Sequence, residues 1–156
     1  MWAPVLGSGM PTSVERSLGP GAAPELCALY GTYGWWADRD REAVERALAA
    51  TDEAVALRDE ESGELVAATR VLTDYTYYAM VFDVIVHEAR RGEGLGEELL
   101  AAVVAHPPLA DVHLSLLARE GLVEFYESCG FERQGAIERP DGEAEPLRFL
   151  VYSREA

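Results

Sequence analysis

The stretch RRGEGLGEELL, residues 90–100, follows shortly after the apolar run VFDVIV and places glycines at 92, 94 and 96, where a helix is about to begin. A glycine inside a regular element costs roughly 0.5–1 kcal/mol relative to alanine, so three here need a reason. A glycine turn between a strand and a helix amino terminus is a ready-made anion site. Its N–H groups point outward, the helix dipole adds positive potential, and missing side chains let a phosphate approach. Two phosphate-binding loops are excluded. The P-loop requires Lys-Ser/Thr after its glycines, but Gly94 and Gly96 lead into Glu97 and Glu98. The dinucleotide fingerprint Gly-x-Gly-x-x-Gly fails because its third place is Glu97 or Leu99. What is left is Arg91-x-x-Gly94-x-Gly96 behind a strand.

Two other residues have types suited to chemistry. Asp83 interrupts an otherwise apolar run, where burial would raise its pKa toward that of a useful base. The competing and preferred reading is a structural carboxylate held by backbone or by an arginine. Tyr126, in FYESCGF, is either a core tyrosine on a helix face or a proton donor. Asp74 and Glu120 are further carboxylates, and a water chain could also carry a proton. Trp35, Trp36, Tyr30 and Tyr33 cluster before the second helix, and they read either as core cover, the preferred reading, or as an aromatic wall for a cationic amine. Tyr75, Tyr77 and Tyr78 pose the same question. The three histidines are scattered, and Cys27 and Cys129 lack CxxC spacing, so neither a metal site nor a disulfide framework is expected.

The elements that would position these residues follow from periodicity. The first 24 residues are rich in Gly, Pro and Ser and are expected to form a flexible arm with room for one short strand, leaving 25–156 as the folded domain. PELCALYGTY suggests a helix stopped by glycine. DRDREAVERALAATD suggests another, capped by Asp38 or Asp40, with Val44, Ala47 and Leu48 on one face. EAVALRD and ELVAATRVL read as strands around the turn EESG, followed by the long strand YTYYAMVFDVIV. Helical spacing then brings Leu95, Leu99, Leu100, Val103 and Val104 together until HPP stops it. VHLSLL is a strand. GLVEFYESCG is a helix with Leu122, Phe125, Tyr126 and Cys129 on one side. FERQGAI and LRFLVYS close the chain. The fold class is therefore mixed α/β in a single domain.

At 156 residues the chain can bury a substantial core. Its 13 basic and 28 acidic residues give a net charge of −15, which argues against a nucleic-acid surface. No signal peptide or run of ~18 apolar residues is evident, so a cytoplasmic protein without a membrane partner is expected.

FDVIVHEARRGEGLGEELL resembles the strand–loop–helix core of the Gcn5-related N-acetyltransferase (GNAT) superfamily, and FYESCGF resembles its second signature, Tyr-x-x-x-Gly-Phe. With RVLTD before and HP after the long helix, the similarity covers about residues 25–153. The resemblance implies a mostly antiparallel sheet splayed between two central strands and flanked by helices. It implies acetyl-CoA as co-substrate, no metal, and transfer of the acetyl group to a primary amine of a small molecule or peptide by a monomer or homodimer. The alternative is a catalytically silent acyl-CoA-binding or regulatory module. By position, Val84, Ile85 and Val86 match the splayed strand that pairs with the pantetheine arm. Arg91, Gly92, Glu93, Gly94, Leu95, Gly96 and Glu97 match the pyrophosphate cradle, and Tyr126 matches the tyrosine that protonates the leaving thiolate. Three departures stand out. Glu93 replaces the usual basic residue, so repulsion of CoA phosphates is expected. Met80 replaces a catalytic glutamate, leaving Asp83 as the nearest candidate base. Arg119 replaces a common asparagine.

Overall fold

The computed structural model describes residues 11–137 and 146–154. Seven strands form one sheet. In chain order they are β1 (Thr12–Glu15), β2 (Glu53–Asp59), β3 (Leu65–Thr73), β4 (Tyr78–Val86), β5 (His113–Ala118), β6 (Phe131–Ile137) and β7 (Leu147–Tyr152). Their spatial order is β1-β2-β3-β4-β5-β7-β6, antiparallel except for the central β4–β5 pair. The crossover between those two strands carries helix α3 (Leu95–Val104), which a parallel connection requires. The other helices are α1 (Ala23–Tyr30), α2 (Arg41–Ala49) and α4 (Val123–Ser128).

The sheet is covered on both faces. Leu95, Leu99, Leu100 and Val103 of α3 pack with Val123 and Tyr126 of α4 against Val55, Leu57, Val66 and Val81. On the other face Leu26, Leu29 and Tyr30 of α1 join Val44 and Leu48 of α2 over Ala54, Ala56, Ala68 and Ile85. The apolar spacing in α2 selects Val44 and Leu48 as the buried pair, and the Asp40 side chain caps the helix by accepting from Ala43 N–H at 2.7 Å.

Three expectations need correction. The stretch expected to be a flexible arm with room for one short strand forms that strand and is built into the domain from residue 11 onward. β1 pairs with β2 from Thr12↔Asp59 to Glu15↔Ala56, and Leu18 is buried, because an edge of the sheet was left to satisfy. Residues 1–10 lie outside the described residues. The long strand starts at Tyr78 rather than Tyr75, since Asp74 accepts from the N–H groups of Thr76, Tyr77 and Tyr78 and closes a turn instead. Leu122 is exposed, and Val123 takes the buried place expected of it.

The feature that matters for function is a gap in the middle of the sheet. β4 pairs with β5 only from Tyr78↔His113 to Val81↔Leu116. Beyond that point β5 pairs with β7 alone, while β4 runs on to Val86 against β3. A bulge accompanies the parting. The register with β3 shifts between Ala68 and Arg70, and Asp83 takes a left-handed φ of 56°. A bulge of this kind increases local twist and turns the strand away from its neighbour. Thr69, opposite the bulge, donates its hydroxyl to Phe82 O at 2.7 Å, so its burial leaves no unmet donor.

Candidate active site

The gap opens onto two adjoining cavities. One, of about 390 Å³, is lined by Val84, Val86, loop residues 90–92 and 94–97, and Phe125. The other, of about 710 Å³, is lined by Trp35, Phe82, Asp83, Leu117 and Arg119 among others. Tyr33, Val84, Val86, Arg91, Leu122 and Tyr126 border both.

The glycine loop has two separate physical causes. Gly92 and Gly94 both sit at φ 82°, a left-handed conformation that side chains resist, and Gly94 caps α3. The first backbone bond of the helix is Glu98 N–H to Gly94 O at 3.0 Å. The N–H groups of Leu95, Gly96 and Glu97 therefore have no helical partner, and these residues line the smaller cavity. Gly96 answers to packing instead, because a Cβ there would lie 2.8 Å from Phe125 Cζ on α4. Leu95 is buried and anchors the loop to the core.

Glu93, expected to repel a phosphate, is engaged in an ion pair. Its carboxylate, only 15% exposed, accepts from Arg90 Nε at 2.8 Å, and Arg90 also reaches Asp59 Oδ2 at 3.0 Å. The acid is thus an internal brace of the loop, sharing the Arg90 guanidinium with Asp59. Glu98 is likewise drawn aside, accepting from Thr12 Oγ1 at 2.6 Å. Glu97 stays on the cavity, and Arg91 lines it with no partner among the described residues.

Of the three residues expected to present backbone to a ligand, two turn their polar groups toward the gap. His87 N–H donates to Val66 O at 2.8 Å. Because strand backbone alternates, Ile85 also faces β3, and Val84 and Val86 turn their polar groups into the gap. The Ile85 side chain is 3% exposed in the opposite core. The Val86 carbonyl is already capped by Tyr33 OH at 2.6 Å, which fixes the aromatic wall to the strand.

The aromatic cluster divides. Tyr30 is core, whereas Tyr33 and Trp35 lie 5.0 Å apart along the larger cavity, with Trp35 62% exposed; Trp36 stacks edge-on with Tyr30 and also lines that cavity. Tyr75, Tyr77 and Tyr78 are exposed rather than covering core.

Asp83 is clamped. Arg39 donates to both of its oxygens at 3.0 and 3.3 Å, and Arg70 donates twice to Oδ2 at 3.0 and 2.8 Å. Burial pushes its pKa up, but the two guanidinium groups outweigh that and hold it below the usual carboxylate range. This geometry matches the structural reading of Asp83 and makes it a weak base. Asp74 is held low by its three backbone donors, and Glu120 by Arg148 and Arg133. Tyr126 differs. It is 7% exposed, it borders both cavities, and its hydroxyl has no partner among the described residues. Burial pushes its pKa up to about 12, so it carries its proton throughout the neutral range.

Residues 35–133 match the Acetyltransferase (GNAT) domain family, which is more than half the chain. The chain belongs to the GNAT acetyltransferase family. A solved structure from Xanthomonas campestris pv. campestris, assigned to the same family, is 31% identical with a TM-score of 0.60, covering 80% of this chain and 87% of that one. Among curated GNAT relatives, an uncharacterized N-acetyltransferase, ycf52, of Gracilaria tenuistipitata var. liui is 32% identical over 79 residues. That stretch is 50% of this chain but 41% of the relative, so the chain spans less than half of that protein's length. An aminoglycoside 6'-N-acetyltransferase solved with coenzyme A is 18% identical with a TM-score of 0.74, covering 94% of this chain and all of that one, a likeness of fold. Acyl transfer from acetyl-CoA is the general reaction of the GNAT family, and the splayed sheet seen here is its architecture.

Proposed function

We propose that the protein transfers the acetyl group of acetyl-CoA directly to a primary amine held in the larger cavity. One observation carries this reading, the unpartnered, buried hydroxyl of Tyr126 at the junction of the two cavities. In this reading the pyrophosphate rests on the free N–H groups at the start of α3 with Arg91 beside it, and the pantetheine arm lies along Val84 and Val86. The amine nitrogen forms a bond to the acetyl carbon as the carbon–sulfur bond breaks. The departing thiolate takes the Tyr126 proton, and the proton shed by the amine restores the phenol through solvent. With its pKa raised by burial, Tyr126 holds its proton at neutral pH and is placed to act there as a donor and not as a base.

No carboxylate of ordinary basicity borders the larger cavity among the described residues, since Asp83 is held low by its arginines. The acceptor therefore enters as the free amine or loses its proton to water. The test is release of CoA thiol with a panel of primary amines, comparing the wild type with Tyr126→Phe. Turnover that the substitution largely removes, with acetyl-CoA binding kept, supports the reading. Binding of acetyl-CoA without turnover on any amine would instead identify a silent acyl-CoA-binding module.

A further inference from the structure

The chain is strongly acidic, yet the larger cavity is not. The only acid lining it among the described residues, Asp83, lies between Arg39 and Arg70. The acid at its edge, Glu120, lies between Arg133 at 3.3 Å and Arg148 at 2.5 Å. Among the described residues each carboxylate thus carries two guanidinium groups, which leaves each of these clusters one positive charge in excess. Arg119 adds another. It caps the short turn after β5, it is exposed on the cavity, and its guanidinium has no partner among the described residues. Arg91 borders the cavity as well, but the proposed mechanism commits it to the phosphate side. In a chain of net charge −15, this concentration of arginine marks one place where an anion is welcome. The other wall is apolar, made by Tyr33, the exposed Trp35, Phe82 and Leu117.

Resting on the transferase reading, we propose that the acceptor is an amino acid with an apolar or aromatic side chain. Its carboxylate pairs with Arg119, its side chain lies against Tyr33 and Trp35, and its amine reaches Tyr126. Guanidinium and carboxylate form a planar two-point pair, which fixes the direction of the bound molecule as well as its charge. Polycationic acceptors are disfavoured, contrary to what the overall acidity suggests. An exposed indole attracts a single ammonium, but any further cation meets the same arginines. The chain has no lysine, so no side-chain amine of the protein competes for acetyl groups.

The experiment measures CoA thiol release by the full chain with matched pairs of an amino acid and its decarboxylated amine. The pairs are phenylalanine with phenethylamine, leucine with isopentylamine, and tryptophan with tryptamine, compared at equal free-amine concentration, with spermidine alongside. In at least one pair the amino acid exceeds its amine in kcat/KM by roughly tenfold or more, mainly through KM, as expected for one charge-assisted contact. Arg119→Gln brings that ratio toward one without moving the KM for acetyl-CoA, and Arg119→Lys restores part of it. Equal or better use of the decarboxylated amines or spermidine overturns this proposal and leaves the transferase reading intact. A preserved ratio in Arg119→Gln, or an effect confined to the acetyl-CoA KM, overturns the role of Arg119. No turnover on any amine overturns the transferase reading and the acceptor with it.

Discussion

Replacing Asp83 by asparagine separates a structural brace from a catalytic base. Asparagine has nearly the same shape and tolerates the left-handed backbone that Asp83 adopts, so the bulge itself is preserved. What is lost is the charge that holds Arg39 of the α1–α2 connection and Arg70 of β3 to β4. Removing one partner of a fully buried ion pair costs about 3–5 kcal/mol. Here Arg39 is about a third exposed and stacks on the Tyr30 and Trp36 rings, so part of its charge is solvated in the variant. A cost of about 2–3 kcal/mol is therefore expected. For a domain of this size that lowers Tm by roughly 5–10 °C at neutral pH. The sign with pH follows from the depressed carboxyl. Its contribution is complete above the unfolded carboxylate pKa of about 3.9 and is lost as pH falls through the lower folded value. The gap in Tm between wild type and variant should thus hold down to about pH 4 and close below it. Thermal melts followed by circular dichroism across that range measure it, alongside kcat against pH at a temperature where both proteins are folded. A variant with unchanged Tm that has lost kcat at every pH would refute the structural assignment and restore Asp83 as the base.

Tyr126→Phe removes a hydroxyl with no protein partner, so its Tm should stay within about 1 kcal/mol equivalent of the wild type while kcat falls roughly 10²- to 10⁴-fold; a normal kcat would exclude it as the acid. The kcat/KM of a primary amine should rise with pH toward the amine's own pKa, because the candidate carboxylates are held low and Tyr126 keeps its proton to about 12. An inflection between about pH 5 and 7 would reveal a base not recognised here. Glu93→Gln should change acetyl-CoA affinity by less than about threefold, because Arg90 holds that carboxylate in an ion pair within the loop. A large gain measured by calorimetry would show that Glu93 does repel the ligand.

Much of the fold was legible because the signals were local. The caps, the 3.6-residue spacing of α3 and the polar turns each announce themselves within a few residues, and so does the glycine loop. The misreadings share a cause, which is distance along the chain. Nothing near Glu93 announces that Arg90 links it to Asp59, since Arg90 and Asp59 meet only through the β2–β3 turn. For Asp83 the sequence favoured a structural carboxylate over a base but could not name its partners, Arg39 and Arg70, which lie 44 and 13 residues away. The short strand allowed for in the Gly/Pro-rich segment could not be placed from sequence, because its reason for being a strand is the open edge of β2. Tyr33 and Trp35 could not be told from Tyr30 and Trp36 by residue type. That Tyr33, Trp35 and Trp36 line the cavity while Tyr30 stays in the core depends on how the connection between α1 and α2 lies over the sheet. Ile85 was grouped with its neighbours because a motif marks a segment, whereas the alternation of strand backbone decides which of its residues face the gap.

The most direct test is calorimetric titration with acetyl-CoA at low and high salt, for the wild type, Gly94→Glu and Gly63→Glu. Gly63 also has a positive φ with open space around it, 78° against 82° at Gly94, so it reproduces the backbone strain away from the cavities. Micromolar binding that weakens with salt, survives in the Gly63 variant and disappears in the Gly94 variant would establish the start of α3 as the phosphate seat. Absence of binding to the wild type, or equal loss in both variants, would contradict it.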